Sequence, residues 1–111
     1  MKEPRIGELD TRIEIKDWDD VPNDDAGIDQ NFSNPIKVWA KREPVGAGIY
    51  QGSMQLSETI TDRFIIRYRT DVKKGKSIWI GTVRFLVVRA APLAGGKRWL
   101  VIEVEELGEY A

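Results

Sequence analysis

A chain of 111 residues, 41% of them hydrophobic, fits a single domain over residues 1–111 and has enough apolar material for a core. Net charge is −1 although 32% of residues are charged, so the surface carries both signs and sequence-independent nucleic-acid binding is not its main electrostatic tendency. There is no cysteine and no histidine, which excludes a disulfide framework, a cysteine–zinc site, and the commonest general base and metal ligand.

No apolar run approaches the roughly 20 residues of a membrane span, and the opening MKEPRIGELD lacks the apolar centre of a signal peptide. The expectation is therefore no membrane role, and an address in a bacterial-type cytosol or in an assembly built there. Pro4 and Gly7 punctuate a short lead-in. Ile13 and Ile15 then alternate with charged residues, which predicts a first strand over residues 12–18. Residues 19–35 hold Asp19, Asp20, Asp24, Asp25 and Asp29 among Pro22, Asn23, Gly27, Asn31, Asn34 and Pro35. Turn formers at this density predict a long loop, functional or mobile. The aspartates invite a calcium reading, but the ligand spacing with a central Gly and a distant Glu is out of register, so a solvated loop is the better expectation.

Residues 36–45 predict a second strand, with Ile36, Val38 and Ala40 alternating against Lys37, Trp39 and Lys41, and Pro44 ending it. Residues 46–57 carry Gly46, Gly48 and Gly52 beside Ile49, Tyr50, Met54 and Leu56. Two readings stand level: a loop covering the core, or an arm that gains burial only against a neighbouring subunit. Residues 58–69, ETITDRFIIRYR, alternate most clearly. Ile60, Phe64, Ile66 and Tyr68 face one way, and Thr59, Thr61, Arg63, Arg67 and Arg69 the other, with Asp62 and Ile65 as exceptions. A polar turn through Gly75 follows. Residues 77–80 read as a short strand, Gly81-Thr82 as a tight turn, and residues 83–90 as a strand buried on both faces. Pro92 and Gly95-Gly96 mark a turn before residues 97–105, where Leu100, Ile102 and Val104 face inward and Glu103 and Glu105 outward. Residues 107–111 read as a tail. About six strands and no amphipathic helix predict an all-β fold, a small antiparallel barrel or sandwich with long loop insertions.

Nothing in the sequence assembles a nucleophile, a base and an orienting group, so no catalytic residue, metal ligand or cofactor is expected and the chain does not read as an enzyme. Glu103 and Glu105 share a strand face whose neighbours suggest solvent. Gly46-Ala47-Gly48 lacks the context of a phosphate cradle. Four tryptophans, Trp18, Trp39, Trp79 and Trp99, together with the basic stripe Arg63, Arg67 and Arg69 followed by Lys73, Lys74 and Lys76, allow an alternative: an OB-like barrel binding single-stranded nucleic acid. Against it, tryptophans commonly fill β cores, and the arginines can pair with nearby carboxylates or with a subunit.

Four stretches in order give the chain a resemblance to the bacteriophage head–tail joining family, the head-closure or stopper proteins. They are Gly7-Glu8-Leu9-Asp10-Thr11-Arg12-Ile13, Val38-Trp39-Ala40-Lys41, Thr61-Asp62-Arg63-Phe64-Ile65-Ile66-Arg67-Tyr68-Arg69, and Arg98-Trp99-Leu100. The chain departs from the family at Ala26-Gly27 and Phe32, where a Gly-Gly pair and a Trp are frequent, and after Gly46, where a Glu is frequent. The resemblance implies a structural subunit of a phage or prophage connector, a homo-oligomeric ring joining the portal and adaptor of the DNA-filled head to the tail and its completion protein. It implies a virion component assembled in the bacterial host cytoplasm, whose channel passes double-stranded DNA without sequence-specific contact. Read with the irregular segments and the basic stripe, this leads to expected assembly contacts at Asp24, Gly27, Phe32, Gly46, Gly48, Ile49, Tyr50, Met54 and Leu56, and an interface stripe at Arg63, Arg67 and Arg69.

Overall fold

The computed structural model describes residues 4–22, 27–45 and 60–109. Its six strands are β1 (Thr11–Pro22), β2 (Ile28–Pro44), β3 (Asp62–Arg67), β4 (Ser77–Ile80), β5 (Val83–Pro92) and β6 (Trp99–Glu109). All pairs are antiparallel, and the strands close into a ring in the order β1-β2-β3-β6-β5-β4. The all-β expectation holds. Helical structure among the described residues is limited to 3₁₀ turns at Ile6–Glu8 and Leu93–Gly95.

Period-two alternation builds the interior. Ile13 and Ile15, Ala40, Phe64 and Ile66, Ile78, Phe85 and Val87, and Leu100, Ile102 and Val104 are all buried in one cluster, with Val72 added from the β3–β4 connection. Phe64 and Phe85 meet edge to face at 5.3 Å, a favoured geometry for two aromatic quadrupoles. Each such side chain contributes about 1.5–3 kcal/mol on burial, so the ring interior supplies most of the folding drive. Gly81 takes φ +59 in the tight β4–β5 turn, where a side chain would be strained.

Several expectations need correction. Within the span 19–35 expected to be a loop, residues 19–22 and 28–35 are strand. β1 runs on to Pro22 and β2 begins at Ile28, with Asp17 to Pro22 laddered against Ser33 to Ile28. The Asp, Asn and Pro content argued for a turn, but cross-strand pairing and aromatic packing override that local preference. The strand expected over residues 58–69 is Asp62–Arg67, with 58 and 59 outside the described residues. Asp62 does lie on its apolar side, buried, and Ile65, between two arginines on the outer side, is buried as well. β6 starts at Trp99 and takes in most of the expected tail. β5 is buried unevenly: Phe85 and Val87 are inside and alternate with half-buried Arg84 and Leu86, and Val88 is buried beside Val87 where a register shift between Val87 and Arg89 interrupts the alternation.

A bulge decides the shape of the hairpin. Between Ile15 and Asp17 lies one residue of β1; opposite it, between Ile36 and Ser33, lie Asn34 and Pro35. Asn34 has φ +53, a region that Asn tolerates better than most residues. The extra residue switches the face of β2, so Phe32 leaves the side occupied by Ile36 and joins Trp18. Beyond the bulge β1 and β2 pair only with each other among the described residues, since β4 covers β1 only from Glu14 to Lys16 and β3 covers β2 only from Lys41 to Pro44. The result is a molecule 48 × 32 × 23 Å across, a barrel with a two-stranded projection.

Candidate functional site

The arginine stripe is largely consumed inside the chain. Arg63 Nε lies 3.5 Å from Glu103 Oε2, and Arg89 Nε donates to Glu103 Oε1 at 2.7 Å, with Arg89 Nη2 on the same oxygen. Glu103 is only 7% exposed, so the outer face expected to be solvated holds a buried carboxylate gripped from two neighbouring strands. This removes Glu103 from any acid–base pair with Glu105. Arg69 lies past the end of β3 and forks onto Asp71 with bonds of 3.0 and 2.9 Å. Hydrogen bonding to Asp71 raises the Arg69 pKa, and the same bond holds the Asp71 carboxyl below the usual carboxylate range. Arg67 remains exposed, its guanidinium 5.7 Å from the Trp99 ring.

The β2–β3 ladder stops at Lys41–Ile65, and before Lys41 the strands part. A cleft of about 510 Å³ opens there, lined by Leu9, Val38, Trp39, Ile66, Arg67, Tyr68 and Arg69. Among the described residues its lining is mainly apolar, with the Arg67 and Arg69 guanidinium groups and the Tyr68 hydroxyl as its main polar groups. Trp39 is 53% exposed on the rim, with Arg12 stacked 5.1 Å from its ring. The 3₁₀ turn beside Leu9 is tied to β2 by Glu8, which accepts from the Arg5 backbone N–H at 2.8 Å and meets Lys41 Nζ at 3.0 Å. These two contacts, the backbone one first, lower the Glu8 pKa, and Glu8 in turn raises that of Lys41.

The projecting hairpin is rooted by an aromatic stack. Phe32 sits 5.0 Å from Trp18 and 4.9 Å edge-on to Trp79. Lys16 Nζ lies 4.3 Å above Trp79, and Arg84 lies 5.4 Å from Trp18. Trp79 Nε1 donates to Ser77 Oγ at 2.9 Å, and Ser77 donates onward to the Lys16 carbonyl. Asp17 accepts from Asn34 Nδ2 at 2.8 Å and meets Lys76 Nζ at 3.1 Å; the Asn34 bond, then Lys76, lowers its pKa. Residues 17–35 contain Asp17, Asp19, Asp20, Asp24, Asp25 and Asp29 and no Lys or Arg. Near the tip, Ile28 is 69% exposed. At the opposite end of β2, Arg42 reaches Asp62 at 2.9 Å and Glu106 at 3.3 Å, while Val45 N donates to the Thr61 carbonyl at 2.8 Å. These bonds fasten the two strand ends from which residues 46–59 depart.

The sequence matches the family described as phage head completion protein over residues 4–107. The chain belongs to that family. The resemblance drawn from four spaced stretches is thereby borne out, and head completion proteins are structural components of the phage particle that interact with other head and tail proteins. The fold is also similar to the solution structure of protein SF1141 from Shigella flexneri 2a, at TM-score 0.72 and 23% identity, covering 96% of this chain and 100% of that one. No curated protein matches.

For a head completion protein the features of interest are surfaces rather than a reaction centre. Among the described residues no three metal-ligating side chains gather, and no helix is long and apolar enough to cross a membrane. Of the residues named from sequence, Gly27 and Phe32 fall on the hairpin, Phe32 at its root. Arg63 and Arg67 share the outer face of β3, with Arg69 just beyond. Asp24, Gly46, Gly48, Ile49, Tyr50, Met54 and Leu56 lie outside the described residues. Sequence reasoning missed the cleft formed by Leu9, Val38 and Tyr68, because it depends on where two strands separate. It also missed Arg89 as a partner of Glu103, a pairing fixed only by register.

Proposed function

We propose that this head completion protein is a subunit of a homo-oligomeric ring between the portal and adaptor of the filled head and the tail, and that the ring helps to close the DNA channel. The observation that carries the reading is the family match over residues 4–107 on a closed six-stranded body with a long acidic projection. A ring subunit needs a rigid body that holds its shape under load, and the closed ring of laddered strands supplies it. It needs a projection to reach neighbours. It also benefits from surfaces that do not trap passing DNA, and residues 17–35 contain six aspartates and no Lys or Arg. Closure acts mechanically, without a catalytic group.

The test is a phage in which this gene is disrupted. The expected particles are filled heads without tails that lose DNA on standing, restored when the chain is supplied in trans, and electron micrographs of restored particles show added density below the portal. Normal tailed particles without the chain would overturn the reading.

The single-stranded nucleic-acid reading keeps one supporting observation, the exposed Trp39 beside Arg12 and Arg67. Stacking platforms need several open aromatic faces. Here Trp79 and Trp99 are buried, and Arg63 and Arg69 engage carboxylates. Titration of labelled single-stranded DNA at low salt discriminates the two: saturable micromolar binding abolished by Arg67→Glu would revive it.

A further inference from the structure

We propose that the β2–β3 cleft is a strand-addition site: it accepts an extended segment of a neighbouring protein of the particle, in which apolar residues alternate with carboxylates. This names a partner contact for the head–tail position inferred above, and rests on that position only for where the segment comes from.

The ladder itself defines the slot. Val45 N donates to the Thr61 carbonyl, so the backbone groups of Val45, and at a period of two those of Glu43, Lys41 and Trp39, point from β2 toward β3. Tyr68 N donates to the Arg98 carbonyl, so Tyr68 and Ile66 turn their backbone groups to β6, and Ile65 and Arg67 turn theirs to β2. Glu43–Arg63 and Lys41–Ile65 are thus the hydrogen-bonded pairs of the ladder, and the next in register is Trp39 with Arg67. That pair is not made. The ladder has ended, and both residues line the cleft. Among the described residues each wall therefore presents a strand edge without a ladder partner, and such an edge is completed by a chain in extended form. At strand spacing an extended residue occupies roughly 160 Å³, so the cleft of about 510 Å³ takes about three of them.

The two faces of an inserted segment meet different surroundings. Inward lie Ile66, which is buried, and Val38 and Tyr68, which pack on the core. Outward lie Trp39 and Arg67, both exposed. Of the charges around the mouth, Arg69 is bonded to Asp71, Lys41 meets Glu8 and Glu43, and Lys37 stands opposite Glu14 across the β1–β2 ladder. Arg67 and Arg12, the latter stacked on Trp39, remain against Asp10, which accepts from the Thr11 hydroxyl beside Leu9. The balance is positive. An apolar side chain fits the inner face and a carboxylate the outer one. The described strands do not supply the segment, since each is already laddered into the ring. Head completion proteins interact with other head and tail proteins, and such a neighbour provides it.

The probes are short capped peptides: one alternating valine with aspartate, one alternating valine with lysine, and a form of the first methylated at every backbone nitrogen. Each is titrated into the full-length chain, with amide shifts and amide exchange followed by NMR. The aspartate peptide is expected to bind saturably and to slow exchange at Trp39 and Arg67. The methylated form, which keeps the side chains and loses the donors, does not bind. Arg67→Glu, at an exposed site, weakens the aspartate peptide by about tenfold or more and favours the lysine peptide. No saturable binding, equal binding of the methylated form, or slowed exchange only outside the cleft overturns the site. Exchange at Trp39 and Arg67 that slows in the chain alone as its concentration rises makes a second copy the occupant, and overturns the partner segment. The head–tail position is judged apart, by the gene-disruption phenotype. Leaking, tailless heads with a failed titration refute the cleft alone, whereas normal tailed particles with a bound peptide refute the position alone.

Discussion

The barrel and the hairpin are made of the same two strands, β1 and β2, held by different forces. Within the barrel, Ile13, Ile15 and Ala40 face a shared apolar interior, and every strand has a ladder partner on each side over part of its length. Beyond the bulge at Asn34 and Pro35, the strands ladder only with each other among the described residues, and their sequence is acidic. An isolated two-stranded ribbon is at best marginally stable in water. This one is stabilised where Phe32 packs between Trp18 and Trp79 and where cations lie over both indoles. The barrel thus derives its order from burial inside a closed sheet, whereas the hairpin derives its order from one aromatic anchor on the barrel's outside. A projection of this kind can be altered at its tip without cost to the body.

The largest effect should come from the interior. Phe64→Ala removes a fully buried ring that packs edge to face on Phe85, and should cost about 3–5 kcal/mol in denaturant melts. A cost under about 1 kcal/mol would mean that Phe64 does not face the interior. Next, Glu103→Gln weakens the hold of Arg63 and Arg89 on a buried acceptor and should cost about 1–3 kcal/mol. An unchanged melting curve would show that the outer wall contributes no stability of its own. Phe32→Ala should cost about 1–2 kcal/mol, and its signature is regional: amide exchange accelerates across the hairpin while the barrel amides remain protected. Uniform acceleration would erase the distinction between the two regions. Arg67→Ala, at an exposed site, should cost under about 1 kcal/mol in the free chain.

Acid should act last and most gently. Asp17, Asp71 and Glu8 have folded pKa values lowered by their partners. Their contributions are complete above the ordinary carboxylate range and are lost as the pH falls through the folded values, below about 4. Lys41, raised by Glu8, contributes up to about pH 10 and loses its share only above that. With no histidine, thermal melts between about pH 5 and 8 should superimpose. A transition inside that window would contradict this assignment of the ion pairs.

Much of the body was legible in the sequence. The bounds of β4 and the inward faces of β3 and β6 follow from alternation, because successive side chains on a strand must point to opposite faces. Asp62 was visible as an exception to its own pattern, and its partner Arg42 explains how a carboxylate is accommodated there. The hairpin was not legible, since Asp, Asn and Pro are poor strand formers and the residues that rescue the strand, Phe32 and Trp79, are far apart in the chain. The cleft was not legible either, since no local pattern reveals where two paired strands separate.

The sequence alone determined an all-strand chain, the inward set of residues, the absence of histidine and cysteine chemistry, and a kinship carried by four spaced stretches. Tertiary structure alone decided that β3 lies beside β6, that Arg63 and Arg89 converge on Glu103, that one bulge turns Phe32 outward, and that Trp39 borders an open cleft. The division has a physical cause. Alternation is a property of one strand and its solvent exposure, whereas register, bulges and gaps are properties of two strands at once, and a shift of a single residue reverses every face.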